Sequence, residues 1–160
     1  RDSQYSMTSL EYFEGVKPIK GPRVLVIGAG RTGLEIAEKL GTAGFEVTAT
    51  KRTDPIGSMM EMITKKLTLM HIDQMKNVTL MPHTTVKGFE PGRVMVEKDG
   101  EAIELEPFDT VIFASGMLSA PGPEAAIQQA VPSVAIIGDA ENVMDIYSAV
   151  HAGYSLALTH

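Results

Sequence analysis

The chain has 160 residues, of which 44% are hydrophobic and 21% charged, with a formal net charge of −6 and no cysteine. That length supports one sizeable core, or one domain with part of another. The acidic balance argues against a general affinity for nucleic acid or an anionic membrane, and the lack of cysteine removes disulfides, thiolate metal sites and a redox dithiol, as expected of a reducing, cytoplasmic setting.

The longest apolar runs, such as Val24 to Ile27 and Val111 to Ala114, are too short to span a bilayer. The segment Arg1 to Leu10 is too polar for a signal peptide, and a first residue other than Met is expected of an excerpt from a longer polypeptide. Residues 1–20 read as a lead-in, closing on Lys17-Pro18-Ile19-Lys20-Gly21-Pro22. The run Arg23-Val-Leu-Val-Ile-Gly28 then predicts a buried parallel strand, apolar without alternation. Thr32 to Leu40 predicts a helix with Leu34, Ala37 and Leu40 on one stripe, ended by Gly41 or Gly44. Phe45 to Thr50 predicts a second strand, which closes a right-handed βαβ unit.

Ser58 to Met75 predicts a helix with Met59, Ile63, Leu67 and Met70 on a core-facing side, and a methionine-rich adaptable interface is the second reading. Val78 to Met81 is expected as a third strand. From Thr84 to Glu106 the pattern changes to a β meander, with Asp99-Gly100 as a two-residue hairpin turn. Counting outward pairs Lys98 with Glu101, Val96 with Ile103, Val94 with Leu105 and Arg93 with Glu106. The carboxylates Glu97, Asp99, Glu101, Glu104 and Glu106 read as the wet side of that hairpin rather than as a metal site. Asp109 to Ala114 returns as a buried strand, followed by a Pro- and Gly-rich loop from Met117 to Pro123 and a short helical stretch. Ser133 to Gly138 is expected as one more strand, and Asp145 to Leu158 as a final helix.

Gly28-Ala29-Gly30-Arg31-Thr32-Gly33 matches G-x-G-x-x-G in the strand–turn–helix context that gives the pattern meaning. The first glycine permits a tight turn, the second lets a pyrophosphate approach the backbone, and the third lets helix and strand pack closely. Free N–H groups at the helix start then face the phosphates. An NAD site usually carries an acid at the end of the second strand to hold the ribose 2′-hydroxyl. Thr50-Lys51-Arg52 stands there instead, and two cations favour the 2′-phosphate of NADP(H) over NAD(H); a solvated surface pair is the plainer account. Arg31 is a further phosphate candidate, and Glu35 reads first as an ion-pair partner of Lys39 on the helix surface. His71, His83, His151 and His160 are scattered, and no catalytic residue is assigned; Asp73, Asp145 and Tyr147 read as helix-surface or capping residues.

Three motifs in order carry a family likeness. Val24-Leu-Val-Ile-Gly-Ala-Gly-Arg-Thr-Gly-Leu-Glu-Ile-Ala-Glu38 resembles the NAD(P)H-binding domain of two-dinucleotide flavoproteins. Thr110-Val-Ile-Phe-Ala-Ser-Gly116 resembles their strand ending in Ala-Thr-Gly, with Ser115 in place of Thr. Val134-Ala-Ile-Ile-Gly-Asp-Ala140, followed by Ala149-Val-His-Ala-Gly-Tyr154, is similar to their C-terminal Gly-Asp motif and helix. Within that superfamily the sequence resembles the C-terminal half of the NADH:flavin oxidoreductases that include 2,4-dienoyl-CoA reductase, 2-enoate reductase and trimethylamine dehydrogenase.

The resemblance implies a Rossmann-like α/β three-layer domain over residues 21–120, with a parallel sheet and a β meander. It also implies that residues 121–160 are a strand and helix from an otherwise absent FAD-binding domain. By the same likeness Gly138 and Asp139 lie at the FAD ribityl chain, Glu35 near the nicotinamide, and Ser115 and Gly116 where the chain crosses between nucleotide domains. The resemblance also implies that the full-length protein binds FAD, and that a missing N-terminal flavin-binding region could hold FMN and an iron–sulfur cluster. The function implied is hydride delivery from NAD(P)H to FAD. Its rivals are a nucleotide-sensing regulatory Rossmann domain without redox chemistry and a remnant that binds nothing. Gly138-Asp139 and Ser115-Gly116 tell against the regulatory domain.

Overall fold

The computed structural model describes residues 5–90, 93–120, 122, 124–131 and 133–159. The described residues fall into two compact units that divide between Gly116 and Met117. In the first unit a five-stranded parallel sheet runs in the order β1 (Ser6–Thr8), β8 (Thr110–Phe113), β2 (Arg23–Ile27), β3 (Glu46–Thr50), β4 (Val78–Met81). Its central strands are apolar on both sides because both sides are covered. Val24, Val26, Val47, Ala49 and Ile112 pack into one cluster with α2 (Arg31–Thr42), α3 (Met62–Asp73) and Tyr12 of α1 (Ser9–Glu14). Leu25, Val111, Ile27 and Phe113 point the other way, onto Val94, Val96, Val86, Phe89 and Ile103. Those partners belong to an antiparallel sheet of β5 (Thr84–Glu90), β6 (Arg93–Lys98) and β7 (Glu101–Leu105). Helices, parallel sheet and meander therefore make the three expected layers.

The hairpin register agrees with the sequence at Lys98–Glu101, Val96–Ile103 and Val94–Leu105. Asp99 and Gly100 both have positive φ, 52° and 87°, as a type I′ turn requires. At the far end the expected cross-strand pair gives way. Arg93 takes the diagonal Glu104 at 3.4 Å, because β7 stops at Leu105 and Glu106 turns to Arg23 at 3.0 Å. Glu97 is matched by Lys87 at 3.1 Å.

Three further expectations change. The lead-in is not only a linker: Ser6–Thr8 adds a strand to the free edge of β8, burying Ser6 and Met7. Lys20 and Asp109 then tie its exit down, with the Lys20 amide on Thr110 Oγ1 and the Arg23 amide on Asp109 Oδ2, each at 2.9 Å. The methionine-rich helix starts at Met62 rather than Ser58, since Gly57 and Met59 have positive φ. Met59, Ile63, Leu67 and Met70 are exposed, and Thr68, Leu69 and Ile72 face the core instead. In the second unit, Ser133 to Ile137 is not a strand: Ile137 is extended (φ −141°, ψ 165°), but a strand needs a neighbour to hydrogen-bond and none pairs with it among the described residues. A 3₁₀ turn (Gly138–Ala140) and the helices α4 (Glu124–Gln128) and α5 (Ile146–Thr159) complete that unit.

Helix α3 is held at its start by a carboxylate. Glu61 Oε2 accepts from the amides of Ile63 and Thr64 at 2.9 and 3.0 Å, which lowers the pKa of Glu61 below the usual glutamate value of 4.5. A lowered carboxylate stabilises the folded form above its unfolded pKa and loses that effect as pH falls through its folded pKa. In an NMR titration the Ile63 and Thr64 amides should therefore shift together with a midpoint below 4.5, and Glu61→Gln should abolish the transition.

Candidate nucleotide-binding site

The parallel strands all end on one edge, and chain order reverses between β2 and β8. That reversal opens a crevice at the carboxyl ends of the two strands, where open α/β sheets receive ligands. Gly28, directly after β2, has φ +110°, and its amide donates to the Thr50 carbonyl at 2.9 Å. A Cβ there would stand 2.5 Å from the Ala114 oxygen and 2.8 Å from Ser115 Cα, so only glycine lets the turn lie against the end of β8. Gly33 is buried in the first turn of α2, and a Cβ on it would collide with the Gly28 carbonyl oxygen. Gly30 differs: its φ is −79°, and a Cβ there would meet no atom within 4 Å. Two glycines are thus demanded by the protein's own packing, whereas the middle one borders open space.

Gly30 is the N-cap of α2 and offers no side chain to the helix. The first intrahelical bond is Leu34 N–H to the Gly30 carbonyl at 3.0 Å. The amides of Arg31, Thr32 and Gly33 therefore lack helical acceptors, at the positive end of the helix dipole. A diphosphate fits this cradle, since the donors are uncapped and the approach over Gly30 is unobstructed. Ala29 is buried, and its carbonyl accepts from the Gly57 amide at 2.9 Å, fastening the turn to the loop that follows β3.

At the end of β3, the Lys51 backbone is fixed on both sides: its amide donates to the Met81 carbonyl at 2.9 Å, and its carbonyl accepts from the Thr84 amide at 2.8 Å. Its ammonium donates to Ser58 Oγ at 2.7 Å. Arg52 is exposed and has no ion pair among the described residues. Asp54 lies 3.9 Å from His83 Nε2, and His83 has an unusual φ of +51°. Glu35 pairs with Arg31 at 3.2 Å rather than with Lys39, whose ammonium lies over the Tyr12 ring. Ser115 and Gly116 are exposed at the exit of β8, with Gly116 at φ +102°.

The structure thus brings Gly28, Ala29, Gly30, Arg31, Thr32, Gly33, Lys51 and Ser115 to one edge of the first unit. Gly138 and Asp139 belong to the second. There Gly138 has φ +63°, and Asp139 Oδ1 accepts from the Met144 amide at 3.3 Å, a turn-stabilising contact. Asp145 caps α5 through the Ser148 amide at 2.7 Å; bonds to Ser148 hold its carboxyl below the ordinary aspartate range. His71 pairs with Glu38 and His151 stacks on Tyr147. No group of three or more His, Asp or Glu side chains could hold a metal among the described residues, and none of their helices is long and apolar enough to cross a membrane. Sequence reasoning passed over Gly57 and Ser58. Their signal was position: a Pro-Ile-Gly-Ser run shortly beyond the two cations that follow β3.

A sheet of this order with a glycine turn at its reversal defines a dinucleotide-binding α/β protein. Residues 2–139 match the pyridine nucleotide-disulphide oxidoreductase family, and the chain belongs to it. The fold is shared with 2-naphthoyl-CoA reductase in complex with 2-naphthoyl-CoA (TM-score 0.79, 23% identity, 99% of this chain and 24% of that one). It is shared also with 6-hydroxypseudooxynicotine amine oxidase from Pseudomonas geniculata (0.79, 21%, 96% and 24%). Histamine dehydrogenase from a Rhizobium species is similar (0.79, 20%, 98% and 26%). The family match agrees with the two-dinucleotide flavoprotein resemblance drawn from the sequence, and the three structures share the expected fold. The chain spans about a quarter of the length of each of the three.

The three glycines should separate by mutation. Gly28→Ala and Gly33→Ala force a Cβ into backbone and should lower the unfolding free energy by about 2 kcal/mol or more, whereas Gly30→Ala should stay within about 1 kcal/mol of wild type. Urea denaturation followed by circular dichroism measures all three.

Proposed function

We propose that the chain binds a reduced nicotinamide dinucleotide on the glycine turn and positions it to pass its hydride to FAD, as one section of a longer flavin-dependent oxidoreductase. The observation that carries this reading is the uncapped start of α2 behind Gly30, whose Cα faces open space. The bound cofactors supply the redox chemistry: the nicotinamide gives up the hydride and the flavin takes it. What remains for the protein is to bind, orient and exclude water, and no side chain need act as acid or base.

In this reading Arg31, Thr32 and Gly33 present their amides to the diphosphate. Glu35, exposed one helical turn on and held by Arg31, borders the nicotinamide half. Ser115 and Gly116 line the opposite lip. Lys51 and Arg52 at the end of β3 replace the usual acid, and their charge favours NADP(H) over NAD(H) by about tenfold to a hundredfold. Residues 121–160 would be the closing segment of an FAD-binding domain, with Gly138 and Asp139 directed at the ribityl chain. Two features support that assignment. Ile137 is extended yet unpaired with any described strand, and α5 exposes an apolar stripe of Ile146, Tyr147, Val150, Tyr154 and Leu158. The remaining FAD domain, and any FMN or iron–sulfur centre, would lie in a preceding region of the same polypeptide.

Calorimetric titration with NADPH and NADH tests the assignment. NADPH should bind more tightly, and Lys51→Ala with Arg52→Ala should bring the two affinities together. A wild-type preference for NADH would overturn the role given to these cations. Gly30→Ala, which the fold tolerates, should weaken both coenzymes by at least about tenfold.

A further inference from the structure

The loop between β3 and α3 holds a hydroxyl in an unusual place. Ser58 lies seven residues beyond Lys51, yet its Oγ meets the Lys51 ammonium at 2.7 Å. An ammonium has no lone pair, so the hydroxyl must be the acceptor in this bond, and its own proton stays available to a further oxygen. The ammonium keeps two more N–H donors. Both groups are half-buried, whereas Arg52 beside them is exposed.

The loop is anchored so that this pair cannot drift far from the coenzyme cradle. Gly57, the residue before Ser58, donates its amide to Ala29 inside the glycine turn at 2.9 Å. A Cβ on Gly57 would stand 3.1 Å from both Leu34 Cδ1 and Met60 Sδ, and its φ is +66°. Lys51 is fixed from the other side by its backbone bonds to Met81 and Thr84. One rigid segment thus links the diphosphate cradle to the cation at the end of β3.

We infer that Ser58 is a specificity-determining residue: its hydroxyl holds the Lys51 ammonium in place and donates its own proton to a phosphate monoester on the adenosine ribose. Lys51 contributes charge, Ser58 a directed O–H donor and the exposed Arg52 a second charge. Dianionic phosphate satisfies all three, whereas a ribose hydroxyl leaves the ammonium without a counter-charge. The inference rests on the NADP(H) reading above and deepens it.

The test titrates the protein with 2′,5′-ADP and with 5′-AMP, which differ only by the phosphate in question. Wild type should prefer 2′,5′-ADP, Ser58→Ala should reduce that preference by about tenfold, and Ser58→Thr, which restores the hydroxyl, should recover most of it. A thermal melt of each variant shows that the fold is kept; a merely structural Ser58 would move the melt or both affinities, not their ratio. If wild type prefers 2′,5′-ADP but the Ser58→Ala ratio stays within about threefold, the role of Ser58 is overturned and the NADP(H) reading survives. If wild type prefers 5′-AMP, or binds neither, the NADP(H) reading itself falls and the inference falls with it.

Discussion

The first unit depends on one close approach: the turn after β2 packed against the end of β8, with the start of α2 pressed onto that turn. Any side chain on Gly28 would enter the Ala114 carbonyl, and any on Gly33 would enter the carbonyl of Gly28. Without those two glycines α2 would have to back away from the sheet. Leu34, Ile36, Ala37 and Leu40 would then lose the burial they now have over Val24, Val26 and Ala49. The same approach leaves the first amides of α2 without helical acceptors, behind a Gly30 that caps them with no side chain. Packing and binding are thus two results of one geometry, and Gly30 is the position where only binding is at stake.

Much of this was legible because local chemistry and tertiary packing agree. A short apolar run with no alternation, bounded here by Pro22 and Gly28, reads as a strand covered on both faces, and Arg23–Ile27 is one. Asp99-Gly100 sets the hairpin register by its backbone requirements alone, so three of its pairs followed by counting. What escaped depended on neighbours that periodicity does not see. Ser6–Thr8 is polar at both ends and becomes a strand only because β8 has a free edge. The methionine spacing before and within α3 looks like a core stripe, yet positive φ at Gly57 and Met59 starts the helix late, and it is Thr68, Leu69 and Ile72 that meet the core.

The candidate site shows the same division. Motif and context marked the glycine turn and the two cations after β3. Glu35 and Arg31 were each legible as site residues, but their mutual ion pair was not, because Lys39 offers Glu35 an equivalent partner one turn further on. Gly57 and Ser58 join the site through a loop folded back on the turn, an arrangement that no local pattern encodes. Gly138 and Asp139 sit in a separate unit, so their part rests on the motif they complete rather than on a contact with the turn.

The central claim is that a coenzyme diphosphate accepts hydrogen bonds from the first amides of α2. Amide resonances of Gly30, Arg31, Thr32 and Gly33, followed by ¹⁵N NMR as NADPH is added, test it most directly. The account predicts downfield shifts and slowed exchange concentrated at these four residues, with smaller changes around Lys51. Saturating coenzyme that leaves the four amides unmoved, or perturbs residues only at the opposite edge of the sheet, would contradict it.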